Sequence, residues 1–371
     1  MPLDSRILHG ALYAAHWVCR NFINNTNKVD VAIIIPTRNR QESLRRTLAS
    51  VVQCMDGVSS YEVIVVDNGS SDGTAEVVRS AQQRHPQCEI RYFHEPIPGL
   101  LSGRHRGAAE SRAEILAYLD DDVLLNPSWW EGLQDAFRDP HVVLAGGPSL
   151  PEYEVSPSEW LVGMWEERDD GRRLGALSLI DQGREVRGCD PLDVWGLNYV
   201  IRKDALYQCG GFHPDCLPKS LQCFQGDGES GLSRKIHGAG ARALYHPLMG
   251  VTHLISASRM TVEAFAEREF YQGVCSSYGR IRREGGVHVP SAVRWRAPLL
   301  WLKRTGRFSL GNRNSGCATI QQRLAKAYDR GGAWHKEQVR KRPELLRWVL
   351  KPEYFDYELP SVSNTIHSSI K

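Results

Sequence analysis

Between Val31 and Ala145, short apolar runs alternate with amphipathic stretches, and this alternation restricts the chain to a mostly parallel sheet flanked by helices. VAIII at 31–35, YEVIVV at 61–66, EILAYL at 114–119 and HVVLAG at 141–146 read as buried strands, with EIRYF at 89–93 a weaker one. From about Arg40 a helix follows the first strand, because Leu44, Leu48, Val51 and Val52 fall on one face at a 3.6-residue period. With 371 residues, 42% of them hydrophobic, the chain can bury the core of one large α/β domain or two modest ones.

Pro148–Cys189 shows little period and reads as irregular chain. Beyond it, DVWGLNYVI predicts a strand and MTVEAFAEREFYQGVCSSYGRIRR a long helix. The expected division is an N-terminal amphipathic helix over 1–28, an α/β domain over 29–285 and a basic helical C-terminal extension over 286–371. His9, His16 and Arg20 interrupt the first segment, and no other stretch reaches about 18 consecutive apolar residues, so any membrane contact is expected to be peripheral. Trp295, Arg296, Trp301, Lys303, Arg304 and Arg307 in the extension suit such contact at the inner face of a membrane, and ordinary helix packing suits them equally. The 46 basic and 43 acidic side chains nearly balance, so no nucleic-acid partner is expected. Nine scattered cysteines fit reduced thiols in a cytoplasmic protein, and Cys209, His213, Cys216 and Cys223 match no standard zinc spacing.

Open parallel sheets bind ligands beyond the carboxyl ends of their strands. Here those ends are polar: Pro36, Thr37, Arg38 and Asn39 after the first strand, Asp67 to Asp72 after the second, and Asp120, Asp121 and Asp122 after the fourth. Three consecutive aspartates with no basic neighbour in sequence repel one another, so a bound cation is expected. Carboxylate oxygens suit Mg²⁺ or Mn²⁺, which take few protein ligands and complete their shells with substrate phosphates, so a diphosphate ligand is implied. A solvated turn followed by helix-capping acids is the plainer alternative.

VAIIIPTRNR, VIVVDNGSSDGT, PGLLSGRHRGAAES and ILAYLDDDV, in this order and spacing, resemble the family 2 glycosyltransferases of the GT-A fold. The resemblance continues more weakly through WGLNYVIRKDAL, GGF, GDGESGLSRKIHGAG and GVTHLISASRM to about Arg283. It implies a GT-A-type sheet with a donor-nucleotide half over 29–125 and an acceptor half over 126–285, and an inverting transfer of a hexosyl-like group from a nucleotide-diphospho-sugar, a UDP-sugar first, to an unidentified acceptor. It places Pro36, Thr37 and Asn39 around the nucleoside, Asp67 on the base, Arg104 near the nucleotide or its phosphates, Asp120 toward ribose or sugar, and Asp122 on Mn²⁺ or Mg²⁺, with Asp121 secondary. His105 stands where the family usually has Asn.

The same resemblance puts a general base at the start of the helix in QGDGESGLSR. Counting back from Ala239 and Gly240 selects Glu229, and counting from Arg234 selects Asp227; Glu229 leaves no gap and is preferred. His253 matches a further metal position, Arg259 beside it could meet the diphosphate, and Trp195 and Asn198 fall in the stretch facing the acceptor. Three other readings stay open. A sugar-nucleotide nucleotidyltransferase needs glycines that PTRNRQ lacks, a catalytically dead binding module would have lost its base, and a glycosidase leaves Asp67 unexplained.

Overall fold

The structure, a computed structural model, describes residues 31–287 and 315–355. The helix expected over 1–28 and the stretch holding Trp295 to Arg307 lie outside the described residues. Fourteen strands and ten α-helices follow in order: β1 (Val31–Thr37), α1 (Gln41–Cys54), β2 (Tyr61–Asp67), α2 (Thr74–Arg84), β3 (Ile90–His94), α3 (Leu100–Glu110), β4 (Ile115–Leu119), β5 (Val123–Leu125), α4 (Trp129–Arg138), β6 (Val142–Gly146), β7 (Ser149–Tyr153), α5 (Glu159–Val162), β8 (Glu166–Arg168), β9 (Gly171–Leu174), β10 (Leu179–Asp181), β11 (Arg187–Cys189), β12 (Asn198–Arg202), α6 (Lys203–Gln208), α7 (Gly228–Gly238), β13 (Arg242–Tyr245), β14 (Val251–Ile255), α8 (Val262–Glu284), α9 (Ser315–Lys341) and α10 (Pro343–Leu350).

The main sheet has the order β11-β13-β6-β12-β4-β1-β2-β3. β3, β2, β1 and β4 run parallel, while β12 enters antiparallel between β4 and β6. Alternation along β1 explains the two cores. Ala32 and Ile34 join the cluster that holds Leu101 of α3, and Val31, Ile33 and Ile35 join the one that holds Leu44 and Leu48 of α1. Every residue of β1 is buried, and each isoleucine there contributes about 1.5–3 kcal/mol by leaving water. β2 and β4 flank β1, so the strand order reverses at the centre of the sheet and opens a crevice at its carboxyl edge.

The irregular chain expected over Pro148–Cys189 is instead ordered in large part. It supplies β7 to β10 of a second sheet, β5-β14-β7-β10-β9-β8. These strands are three to five residues long and mostly polar, so they carry no readable period. β14 pairs with both β5 and β7, which brings His253 opposite Val123, one residue past Asp122.

The described part of the C-terminal extension is helical, as expected, and α9 lies against α8 at glycines. A Cβ on Gly273 would fall 2.0 Å from the Tyr328 carbonyl oxygen, and one on Gly331 would fall 1.9 Å from that of Phe270. Backbone cannot yield as a flexible side chain does. We expect Gly273→Ala to lose about 1–3 kcal/mol by forcing the helices apart, read as a lower melting temperature. An unchanged melt would contradict this approach of the two backbones.

Candidate active site

The crevice is built from three strand ends. Thr37 closes β1 and its hydroxyl donates to Asp121 Oδ2 at 2.6 Å. Three residues on, Arg40 donates to Asp121 Oδ1 at 2.6 Å and to Asp122 Oδ2 at 2.9 Å. Burial pushes the Asp121 carboxyl up to about 6 against the pull of Arg40. Burial opposes ionisation of Asp122 too, but His253, Arg40 and Arg259 outweigh it and hold Asp122 well below the usual carboxylate range. The repulsion read from the sequence is therefore relieved within the chain by arginines that are distant in sequence, which corrects the expectation that only a bound cation makes these aspartates tolerable.

An imidazole nitrogen and a buried carboxylate oxygen nevertheless stand side by side. His253 Nδ1 lies 2.9 Å from the Leu177 carbonyl oxygen and donates to it, which turns Nε2 toward Asp122. Nε2 stands 3.4 Å from Asp122 Oδ1, a buried oxygen without a hydrogen-bond donor among the described residues, and accepts from Arg259 at 3.0 Å. Arg259 also donates to Asp122 Oδ2 at 3.1 Å. An imidazole nitrogen and a carboxylate oxygen side by side fit a divalent ion that draws its other ligands from phosphate and water. Among the described residues no three His, Cys, Asp or Glu side chains converge as a complete metal cage, and this includes the cysteines around His213.

Arg104, on α3, is the buried centre of the site, only 2% exposed. It donates to the Gly196 carbonyl at 3.1 Å, lies 3.4 Å from Glu229 Oε2 and 3.6 Å from Asp120 Oδ1, and stacks over Phe212. Burial raises the Asp120 carboxyl, while Arg104 draws it back. Glu229, in the first turn of α7, also accepts from the Gly196 amide at 3.4 Å and keeps its side chain 24% exposed. Gly196 has no substitute here, since a Cβ would fall 2.3 Å from Arg104 Nη2 and 3.1 Å from Glu229 Cδ.

Asp67 ends β2 buried, accepting from the Ser70 amide at 2.8 Å and from the Tyr92 hydroxyl at 2.6 Å. Asn39, at φ 54°, ties the first loop to the second through Ser70 and Ser71. Asp227 is buried between His213, at 2.6 Å, and Arg234, so it is committed to an ion-pair network two residues from Glu229. Burial pushes the His213 imidazole down, against the Asp227 carboxylate. His105 accepts from the Phe212 amide at 3.0 Å, and burial lowers it to about 3, so it serves as a neutral packing group.

Three expected positions turn inward. Asn198 is 3% exposed, accepting from Trp129 Nε1 and donating to the Met249 carbonyl, so it braces β12 and does not face an acceptor. Trp195 is half-buried against the α1-side core with its Nε1 on the Leu192 carbonyl. Pro36 is buried beneath Gly103 of α3, as packing and not as pocket lining. Sequence reasoning missed Arg40 and Asp215. Arg40 was visible in PTRNR but not its partners, and Asp215 is a carboxyl raised by burial and by Glu229, held by Gln225.

Residues 32–189 match the family described as Glycosyl transferase family 2. Over that stretch the chain is similar to the family 2 glycosyltransferases. Its mostly parallel sheet flanked by helices, with helices added at the C-terminal end, agrees with the α/β fold class expected from the sequence. The glycosyltransferase AglE of Haloferax volcanii is 36% identical over 117 residues, 32% of this chain and 38% of that protein. The glucosyl-dolichyl phosphate glucuronosyltransferase of the same organism is 26% identical over 260 residues, 66% of this chain and 75% of that protein. The validoxylamine A glucosyltransferase of Streptomyces hygroscopicus subsp. jinggangensis is 35% identical over 205 residues, 50% of this chain and 47% of that protein. The chain thus spans less than half the length of the first and third of these relatives. Arg104 thus links Asp120 to Glu229, and no helix among the described residues is long and apolar enough to cross a membrane.

Proposed function

We propose that the chain is an inverting glycosyltransferase that moves a sugar from a nucleotide-diphosphate donor to an acceptor hydroxyl. The observation that carries this reading is the bridge made by Arg104, which holds a solvent-reaching Glu229 beside Asp120 at the crevice where β1 and β4 part. Thr37, Asn39 and Asp67 line the nucleoside end, and a UDP-sugar is the donor to try first. Arg40 and Arg259 have guanidinium faces to offer the diphosphate as its charge grows. A divalent ion, Mn²⁺ or Mg²⁺, held by Asp122 and His253 would add Lewis-acid neutralisation of the leaving group.

Glu229 takes the acceptor's hydroxyl proton while that oxygen bonds to the anomeric carbon and the carbon–phosphate-oxygen bond breaks. The electron pair of the broken bond leaves with the diphosphate, and one displacement inverts the centre. Arg104 keeps Glu229 aimed at the acceptor side. The test is a thermal-shift screen of nucleotide sugars with and without Mn²⁺. A rise in melting temperature with one sugar nucleotide, larger with the ion, is expected. No response to any nucleotide diphosphate would overturn the reading and favour a module that binds other partners.

A further inference from the structure

A cavity of about 720 Å³, lined in part by Glu229, lies within the usual size range for small-ligand sites. One wall is a single face of α8, where Arg268, Gln272, Cys275, Gly279 and Arg283 recur at helical spacing over about 22 Å. Cys275 and Gly279 leave the room between the two arginines. Asp227, Glu229 and Arg234, from the N-cap and body of α7, line the cavity as well. Arg259, which touches Asp122, closes the end nearest the donor crevice.

The four arginines and four carboxylates that line this cavity balance in number but not in position. Arg259 faces Asp122, Arg268 faces Asp215 and Glu229, and Arg234 is paired with Asp227, while Glu267 is taken by Lys219. Arg283 has no carboxylate at ion-pair distance among the described residues. It nevertheless lies beside Arg234: a Cβ built on Gly279 would be 3.2 Å from Asp227 Oδ2, 3.4 Å from Arg283 Nη1 and 3.8 Å from Arg234 Nη1. Two guanidinium groups therefore converge on one glycine with a single carboxylate between them, and that carboxylate is shared with His213. Guanidinium forks of this kind match the planar or tetrahedral oxygens of carboxylate and phosphate.

We propose that this cavity takes an anionic acceptor, whose phosphate or carboxylate group is gripped by Arg283 and Arg234 over Gly279 while its hydroxyl lies at Glu229. The inference rests on the transferase reading and names the acceptor class for it. Arg283 is exposed on α8, so its replacement leaves the fold intact.

The test uses the full chain. Donor binding is measured first, so that a chain blind to nucleotide sugars overturns the transferase reading by itself. Transfer is then compared with glucose, glucose 6-phosphate and glucuronate as soluble probes, and with phosphatidylcholine vesicles with and without phosphatidylinositol, an anionic lipid whose headgroup carries free hydroxyls. An anionic probe, free or in vesicles, should be the better acceptor, and inorganic phosphate alone should compete with it. Arg283→Ala should raise KM for that probe tenfold or more with a smaller change in kcat, and Arg283→Lys, which keeps the charge without the fork, should fall between. Saturation by a soluble probe assigns a free anionic sugar, and saturation by acidic vesicles alone assigns a lipid headgroup. A chain that binds donor but treats neutral and anionic probes alike, or whose KM is unmoved in both Arg283→Ala and Arg234→Ala, overturns the proposal.

Discussion

Asp122→Ala should lower kcat by about two to three orders of magnitude and abolish the Mn²⁺-dependent part of donor binding. The size follows from what meets at this one side chain. Asp122 is buried and carries the charge shared by Arg40, Arg259 and His253, so its loss removes the carboxylate that would hold the ion and leaves two guanidinium groups without their shared anion. Leaving clustered cations without their shared anion is also destabilising, which would confuse a loss of activity with a loss of fold. Asp122→Asn keeps the shape and separates the two. Its melting temperature should fall little, its turnover should fall nearly as far as that of the alanine variant, and its donor affinity should no longer respond to Mn²⁺. Wild-type turnover in either variant would remove the aspartate from the mechanism.

Glu229→Gln should reduce kcat by about 10²–10⁴-fold with KM for the donor little changed, because an amide of the same shape cannot take the acceptor's proton. The comparison that decides between the two acids at the start of α7 is Asp227→Asn. Asp227 is spent on His213 and Arg234, so its replacement should show first in the melting temperature and only secondarily in turnover. Steady-state kinetics and thermal melts on the pair of variants make the distinction. If Asp227→Asn kept its stability and lost more turnover than Glu229→Gln, the base would be Asp227.

The parallel core was legible in the sequence because β1, β2 and β4 are buried on both faces, which leaves unbroken runs such as VAIII that nothing polar disguises. The small sheet was not. β8 is Glu166–Arg168, three charged residues whose pairing with β9 depends on backbone bonds alone, and no side-chain pattern announces it. Site residues divide in the same way. Motif spacing singled out Asp120 to Asp122 and Glu229, and the fold brings Asp120 and Glu229 together on Arg104. The direction of a side chain is a different matter, and Asn198 shows why: its motif position sits at the head of β12, yet the indole of Trp129 and the Met249 carbonyl claim its amide from the inner side. Arg40 stayed hidden for a third reason. Its hydrogen bonds to Asp121 and Asp122 span 81 and 82 residues, so nothing local signals them.

The contact between Gly273 and the Tyr328 carbonyl has an outcome for how such a chain can diversify. Tyr328 reaches the rim of the cavity beside α8, and the two backbones touch without side chains to act as shims. A change in the tilt or register of α9 is therefore passed straight into the breadth of that trough, while the loops after β1, β2 and β4 stay where they are. On the proposed reading, new acceptors are fitted by recutting a terminal helix, and the residues assigned to the donor are spared the revision.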